Sequence, residues 1–226
     1  MTRRAGWTLG AIVTVALLLR LVGLGTLALI GDESYYWLWS HHPDWAYYDH
    51  PAGVAMMVRV STALGGPSEG GVRWLNAILG AAGAALTYWV GRCLLSQRAG
   101  LFAAALVAVG APYVVTSRFV YTDVLFLLLM LLNLAAFWRL TEEREPRWGT
   151  ALAFGGSLAL LFNTKYSAYL YAGALAVAVL IDHRRLLAQP TFWAGAVIGA
   201  LGLAPVVIWN AAHDWASFRW QLSHAT

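Results

Sequence analysis

Val124-Leu125-Phe126-Leu127-Leu128-Leu129-Met130-Leu131-Leu132-Asn133-Leu134-Ala135-Ala136-Phe137-Trp138 holds no charge and one amide, Asn133. A helix over this run rises roughly 22 Å, most of a hydrocarbon core about 30 Å thick, and satisfies its own backbone polar groups. Asp123 stands just before it and Arg139 just after, so charge begins where the apolar run stops. Runs of the same kind lie at 7–30, 72–94, 100–115, 148–162, 166–181 and 192–210. Together they predict an all-α polytopic membrane protein, a bundle of about seven transmembrane helices.

Composition agrees. Hydrophobic residues make up 60% of the chain and charged residues only 12%, with a mean hydropathy of +0.61, which leaves too little polar surface for a soluble domain. Arg3 and Arg4 precede the first run as in a signal peptide, but the run is too long for an h-region and lacks a small-x-small site before Gly31. It is read as an uncleaved first span. Cys93 is the single cysteine and allows no internal disulfide. Small-residue strings such as Gly80-Ala81-Ala82-Gly83-Ala84-Ala85 and Gly195-Ala196-Val197-Ile198-Gly199-Ala200 suit close helix packing.

Loop charges set the orientation. With the N-terminus inside, Arg3, Arg4, Arg92, Arg98, Arg139, Arg144, Arg147, Arg184 and Arg185 fall on the cytoplasmic side, and Arg59, Arg73, Arg118, Lys165 and Arg219 outside. The same threading puts Asp32, Glu33, Asp44, Asp49, Glu69, Asp123 and Asp214 on the outer side, while Glu142, Glu143, Glu145 and Asp182 lie among the inner arginines. Candidate chemistry is therefore concentrated on one face.

The first outer loop, 31–71, is long for a connection. Its parts 32–42 and 51–64 have the pattern of two juxtamembrane helices lying in the interface. Asp32 and Glu33 are adjacent acids at the mouth of the first span, a costly place for charge and so a candidate for chemistry. Asp49 and His50 precede Pro51, which keeps His50 out of helical geometry, and an acid beside an imidazole at a rigid corner can hold a metal ion or a phosphate. Each has an ordinary reading alongside: Asp32 as a helix cap, Asp49 in an Asx-turn, and the neighbouring Trp and Tyr residues as an interfacial belt.

Other candidates follow along the outer side. Asp123 is either a cap of its helix or a second acid for the acceptor or a metal, and Arg118 can supply charge to a phosphate. Lys165 is the only lysine and follows a short span, so its ammonium either meets a lipid phosphate or snorkels to solvent. His213 beside Asp214 is a weak metal-ligand signal. Arg20 lies within the first run and needs a carbonyl, a lipid phosphate or an acid as partner.

Two motifs are familiar: Gly31-Asp32-Glu33-Ser34-Tyr35-Tyr36-Trp37-Leu38-Trp39-Ser40 and, soon after, Tyr47-Tyr48-Asp49-His50-Pro51. With Ser117-Arg118-Phe119-Val120-Tyr121-Thr122-Asp123, Asn163-Thr164-Lys165-Tyr166 and Asn210-Ala211-Ala212-His213-Asp214-Trp215, they resemble the dolichyl-phosphate-mannose protein mannosyltransferase-like group of GT-C glycosyltransferases. That group includes the aminoarabinose lipid A transferase and lipopolysaccharide-core sugar transferases. The resemblance covers nearly the whole chain and implies a GT-C-like transmembrane domain over 1–226 with its catalytic motifs in 31–71. Because members usually continue through further spans, a fragment of a longer enzyme, an unusually short member or half of a split enzyme is expected.

The resemblance makes Asp32 the general base that deprotonates the acceptor, with Glu33 tuning or positioning it. Asp49-His50 stands where the aminoarabinose branch has Glu-Lys and other members have Asp-His, and would face the donor phosphate or a divalent metal ion. The implied reaction moves a sugar from a polyprenyl-phosphate-linked donor to a hydroxyl-bearing acceptor among membrane lipids, glycans or proteins. It would run at the outer face of the plasma (inner) membrane, with no nucleic acid involved. One base opposite a phosphate leaving group suffices for a single inverting displacement. The acids of the first loop, Asp123 and Lys165 are expected to meet around one lipid headgroup. A transporter or flippase would instead place ionisable groups near the midplane, for which Arg20 and Asn133 speak; an inactive scaffold fragment is the other alternative.

Overall fold

The first apolar run stops being helical well before Ile30. In the computed structural model, which describes residues 2–225, α1 spans Arg3–Leu21. Gly23 follows at φ +68, a left-handed conformation that glycine adopts without steric cost and that turns the chain out of the helix. The expected span 7–30 is thus a shorter helix and a connector leading to α2, Gly31–His41. α3 spans Gly53–Gly65 and α4 Glu69–Leu94, where Ser68 caps the N-terminus by accepting from Gly71 N–H at 3.1 Å.

The run expected as one helix over 100–115 is broken. α5 (Gln97–Val109) and α6 (Ala111–Arg118) meet at Gly110 with a bend of 56°. Pro112 explains the break, because it offers no N–H to the carbonyl of Ala108 one turn earlier. α7 (Thr122–Glu142), α8 (Trp148–Phe162) and α9 (Ala168–Asp182) follow. After a 3₁₀ turn at Arg184–Ala188 come α10 (Pro190–Leu201), α11 (Ala204–Ala212) and α12 (Ala216–Ala225). Among the described residues there is no strand, only the isolated bridge Ala46 to Pro51.

The fold is all-helical and built for a membrane. Among the described residues four helices are long and apolar enough to cross one, α1, α4, α7 and the nearly continuous Pro190–Ala212, or five if the bent α5–α6 pair is one span. Seven is not reached on length, since α8 and α9 have 15 residues each and α1 ends early.

Two compact units divide the chain: Met1–Pro43 with Val54–Leu131, and Asp44–Gly53 with Leu132–Thr226. In the first, α1, α4, α5 and α6 pack through small residues, with Ala16, Ala81, Ala84 and Ala108 in one buried cluster. A Cβ on Gly80 would fall inside the Ser117 side chain, so glycine there sets the approach of α4 to α6. In the second, α8 and α10 pack closely while Phe137, Phe154 and Phe192 form a chain of ring contacts.

Candidate active site

The acid pair sits in the first turn of α2, and its two members have opposite surroundings. Asp32 is exposed and makes no hydrogen bond or ion pair among the described residues. Glu33 is fully buried. Its Oε1 accepts from Arg73 Nε at 2.8 Å and Val120 N–H at 2.9 Å, and its Oε2 from Arg73 Nη2 at 2.6 Å and Ile30 N–H at 3.0 Å. Helix capping therefore falls to Glu33, which reaches back to Ile30, and not to Asp32.

Arg73, from the first turns of α4, spends every donor. Besides Glu33, Nη1 reaches the carbonyls of Leu24 at 3.0 Å and Leu27 at 2.7 Å, Nη2 reaches Ala28 at 2.8 Å, and the guanidinium lies 5.0 Å from the Phe119 ring centre. A buried ion pair is tolerable when its remaining valences are filled, and here they are. The pair ties the α1–α2 connector, α2, α4 and the turn before α7 to one point. Sequence reasoning counted Arg73 only as an outer charge; its position near the buried start of a long helix was the available signal.

The segment 117–123, singled out in the sequence, is held by the same logic. Ser117 Oγ accepts from Arg20 Nε at 2.8 Å, Phe119 carbonyl from Asn76 Nδ2 at 2.6 Å, and Val120 N–H donates to Glu33. Arg20 takes the carbonyl option among its expected partners: Nη1 binds Ala16 at 3.0 Å and Ala108 at 3.0 Å, and Nη2 binds Val107 at 3.1 Å. The proline that breaks α5–α6 frees the Ala108 carbonyl, and Arg20 fills it. Arg118, half-buried, donates from Nη1 to the Leu19 carbonyl at 2.7 Å near the end of α1. Asp123 is half-buried as the second residue of α7.

The second unit holds the other candidates. Residues 44–53 form a tight turn, with Tyr47 N–H donating to the His50 carbonyl at 2.9 Å, Ser217 Oγ to the Tyr47 carbonyl at 2.8 Å, and Gln221 Nε2 to the Asp49 carbonyl at 2.9 Å. Gly53 N–H donates to Asn163 at 2.6 Å, where a Cβ would strike the same carbonyl. Within this corner, Asp49 Oδ1 is buried without a hydrogen bond, and the buried Tyr166 hydroxyl lies beside the side chains of Ser217 and Asn210. Burial pushes the Tyr166 hydroxyl above the usual phenol range; hydrogen bonding with Ser217 and Asn210 offsets part of the push, and the nearby Asp49 charge adds a smaller one. Tyr166 therefore stays protonated, a donor facing an acid's surroundings. It lay inside a quoted motif but was not picked out as a site residue.

Lys165 and His50 are half-buried, Lys165 in the connection between α8 and α9. His213 is exposed, stacks on Trp209 at 4.0 Å and shares its Nδ1 with the Trp209 carbonyl at 2.7 Å, while Trp209 Nε1 donates to Asp44 at 2.8 Å. Asp214 and Trp215 follow in the left-handed region, at φ 53 and φ 58, a strained pair for residues with a Cβ. Among the described residues no group of three or more His, Cys, Asp or Glu side chains could hold a metal ion. Asp49, His50 and His213 are therefore not gathered as a set of three ligands.

The two residues that spoke for transport are spent on structure. Arg20 is described above, and Asn133 donates to Phe154 carbonyl at 2.8 Å and Ser157 Oγ at 2.9 Å while accepting from Tyr171 at 3.0 Å.

An all-helical membrane protein with an acid pair in the first turn of its second helix is consistent with the class that the comparisons show, that of GT-C glycosyltransferases. The chain belongs to the dolichyl-phosphate-mannose-protein mannosyltransferase family, whose model matches residues 49–209. The match begins at Asp49 and leaves Asp32 and Glu33 ahead of it. The chain is 30% identical over 197 residues to the lipid A galacturonosyltransferase RgtD of Rhizobium johnstonii, covering 83% of this chain and 40% of that protein. It is 27% identical to the undecaprenyl phosphate-alpha-4-amino-4-deoxy-L-arabinose arabinosyl transferase 2 of Pseudomonas fluorescens, over 96% of this chain and 43% of that one. The chain thus spans about two-fifths of the length of these curated relatives.

Proposed function

We propose that this chain carries the catalytic residues of an inverting glycosyltransferase that moves a sugar from a polyprenyl-phosphate donor to a hydroxyl acceptor at the outer face of the inner membrane. The observation that carries the reading is the division of the acid pair: Glu33 is consumed by Arg73 and two backbone N–H groups, while Asp32 beside it is left exposed on the same fixed turn. A general base needs that combination of accessible carboxylate and rigid support. The relatives' names, a lipid A galacturonosyltransferase and an undecaprenyl-phosphate-aminoarabinose transferase, support a lipid-linked sugar and a lipid acceptor.

In the proposed reaction the acceptor oxygen attacks the anomeric carbon as its proton passes to Asp32. The bond between that carbon and the phosphate oxygen breaks, and the lipid phosphate leaves with the electron pair. By the sequence reading, Arg118, Lys165 and His50 are the candidates for the charge developing on the phosphate, and Asp123 for the acceptor. By the resemblance the Asp49-His50 pair faces the donor phosphate or a bound divalent cation.

The test is sugar transfer by purified membranes given a panel of radiolabelled polyprenyl-phosphate sugars. Asp32→Asn should lower turnover by about 100-fold or more, the usual scale for a lost general base, with unchanged thermal stability. Near-normal turnover by Asp32→Asn would remove the assignment.

A further inference from the structure

A second site lies in the first unit, at the far end of α2 from the acid pair. Between α2 and α3 is a cavity of about 310 Å³ lined by Trp37, Ser40, His41, Arg59, Thr62 and Pro67 among others, none of them acidic. Trp37 and His41 are one turn apart on α2, and Arg59 and Thr62 nearly one turn apart on α3, so each helix turns one face to the cavity. Asp32 is nine residues up α2, about 13 Å along the axis, so the two sites are distinct.

The side chains are anchored with capacity to spare. Arg59 Nη1 donates to the Ser40 carbonyl at 2.8 Å, and the guanidinium makes no other hydrogen bond among the described residues. His41 is fixed by Nδ1, 2.9 Å from the Trp37 carbonyl, with its ring 4.6 Å edge-on from the indole of Trp37. The indole N–H of Trp37 and the Nε2 of His41 likewise have no hydrogen-bond partner among the described residues. An exposed guanidinium held through one terminal nitrogen, an indole donor and an imidazole around a hollow with no acidic lining are the groups that an anion site uses.

We propose that this cavity binds a phosphate monoester. Arg59 offers a planar fork to two phosphate oxygens. With Nδ1 committed to a carbonyl, His41 Nε2 accepts from a phosphate hydroxyl when the ring is neutral and donates to a phosphate oxygen when it is charged. A phosphodiester, which has no hydroxyl to give, satisfies the site less well. The phosphate can arrive on a membrane lipid headgroup or on a soluble sugar phosphate, and the site takes the chemistry common to both. No catalytic assignment is needed for it, and failure of the transferase reading leaves it standing.

The test uses the purified chain in detergent micelles and titration calorimetry with dihexanoyl phosphatidic acid, dihexanoyl phosphatidylcholine, inorganic phosphate and glucose 1-phosphate. Phosphatidic acid should bind at least about tenfold more tightly than phosphatidylcholine, and Arg59→Gln should weaken it about tenfold, the scale of a lost charge-assisted pair. His41→Phe should weaken it several-fold, and Arg219→Gln, on the exposed side of α12, should not change it. Competition by glucose 1-phosphate or inorganic phosphate assigns a soluble ligand, and lack of competition with phosphatidic acid still bound assigns a lipid headgroup. Equal binding of the two lipids overturns the proposal. So does unchanged phosphatidic acid binding in Arg59→Gln or, if circular dichroism shows that variant misfolded, in His41→Phe.

Discussion

Two buried corners of this protein treat polar groups in opposite ways. At the start of α2, Glu33 and Arg73 are sealed in with all their valences filled by one another, by backbone carbonyls and by backbone N–H groups. In the turn of residues 44–53, Asp49 Oδ1 is sealed in and unanswered. A buried charge with every partner present is architecture, because nothing remains for a ligand to bind. A buried polar atom with none costs free energy in the empty protein, and that cost is recovered when a ligand or water supplies the missing bond.

The comparison is broken most forcefully at the sealed corner. Glu33→Gln leaves the Arg73 charge buried without its counter-ion and should destabilise the protein by about 3–5 kcal/mol, read as a lower midpoint of thermal unfolding. Replacing both partners, Glu33→Leu with Arg73→Leu, should recover much of that loss, since two apolar side chains leave no charge to desolvate. A double replacement as unstable as Glu33→Gln alone would mean that the connector carbonyls, and not the pair, carry the energy. Arg73→Lys should resemble Glu33→Gln, because an ammonium cannot span the carboxylate and three carbonyls at once.

Smaller effects sharpen the contrast. Arg20→Met strands the carbonyls of Val107 and Ala108 near the α5–α6 break and should cost about 1–3 kcal/mol. Pro112→Ala, which returns an N–H to the Ala108 carbonyl, should offset part of that cost when the two changes are combined, measured as a double-mutant cycle. Tyr166→Phe removes a buried hydroxyl beside Ser217 and Asn210, so stability should fall by no more than about 1 kcal/mol, the net scale of one hydrogen bond. If the hydroxyl serves a ligand, the same variant lowers kcat/KM for sugar transfer while the unfolding midpoint holds.

Much of the fold was legible because hydrocarbon imposes simple rules. The runs at 148–162 and 166–181 became α8 and α9 nearly to the residue, and the two helices expected in 31–71 became α2 and α3. The misses share a cause. Gly23 ended α1 early and Pro112 broke the run at 100–115, and neither changes the hydropathy that the reading depended on. Apolar length alone therefore does not confirm seven spans: among the described residues four helices are long and apolar enough to cross a membrane, or five with the bent pair.

The sequence by itself determined that the chain is helical and lies in a membrane, because a chain this apolar has no other way to satisfy its backbone. It also determined that two adjacent acids open the helix after the first span. Only the tertiary structure decided which acid is exposed. Neighbours on an α-helix point about 100° apart, so one step along the chain separates solvent from the interior. Arg73, 40 positions beyond Glu33, fixed which of the two turned inward.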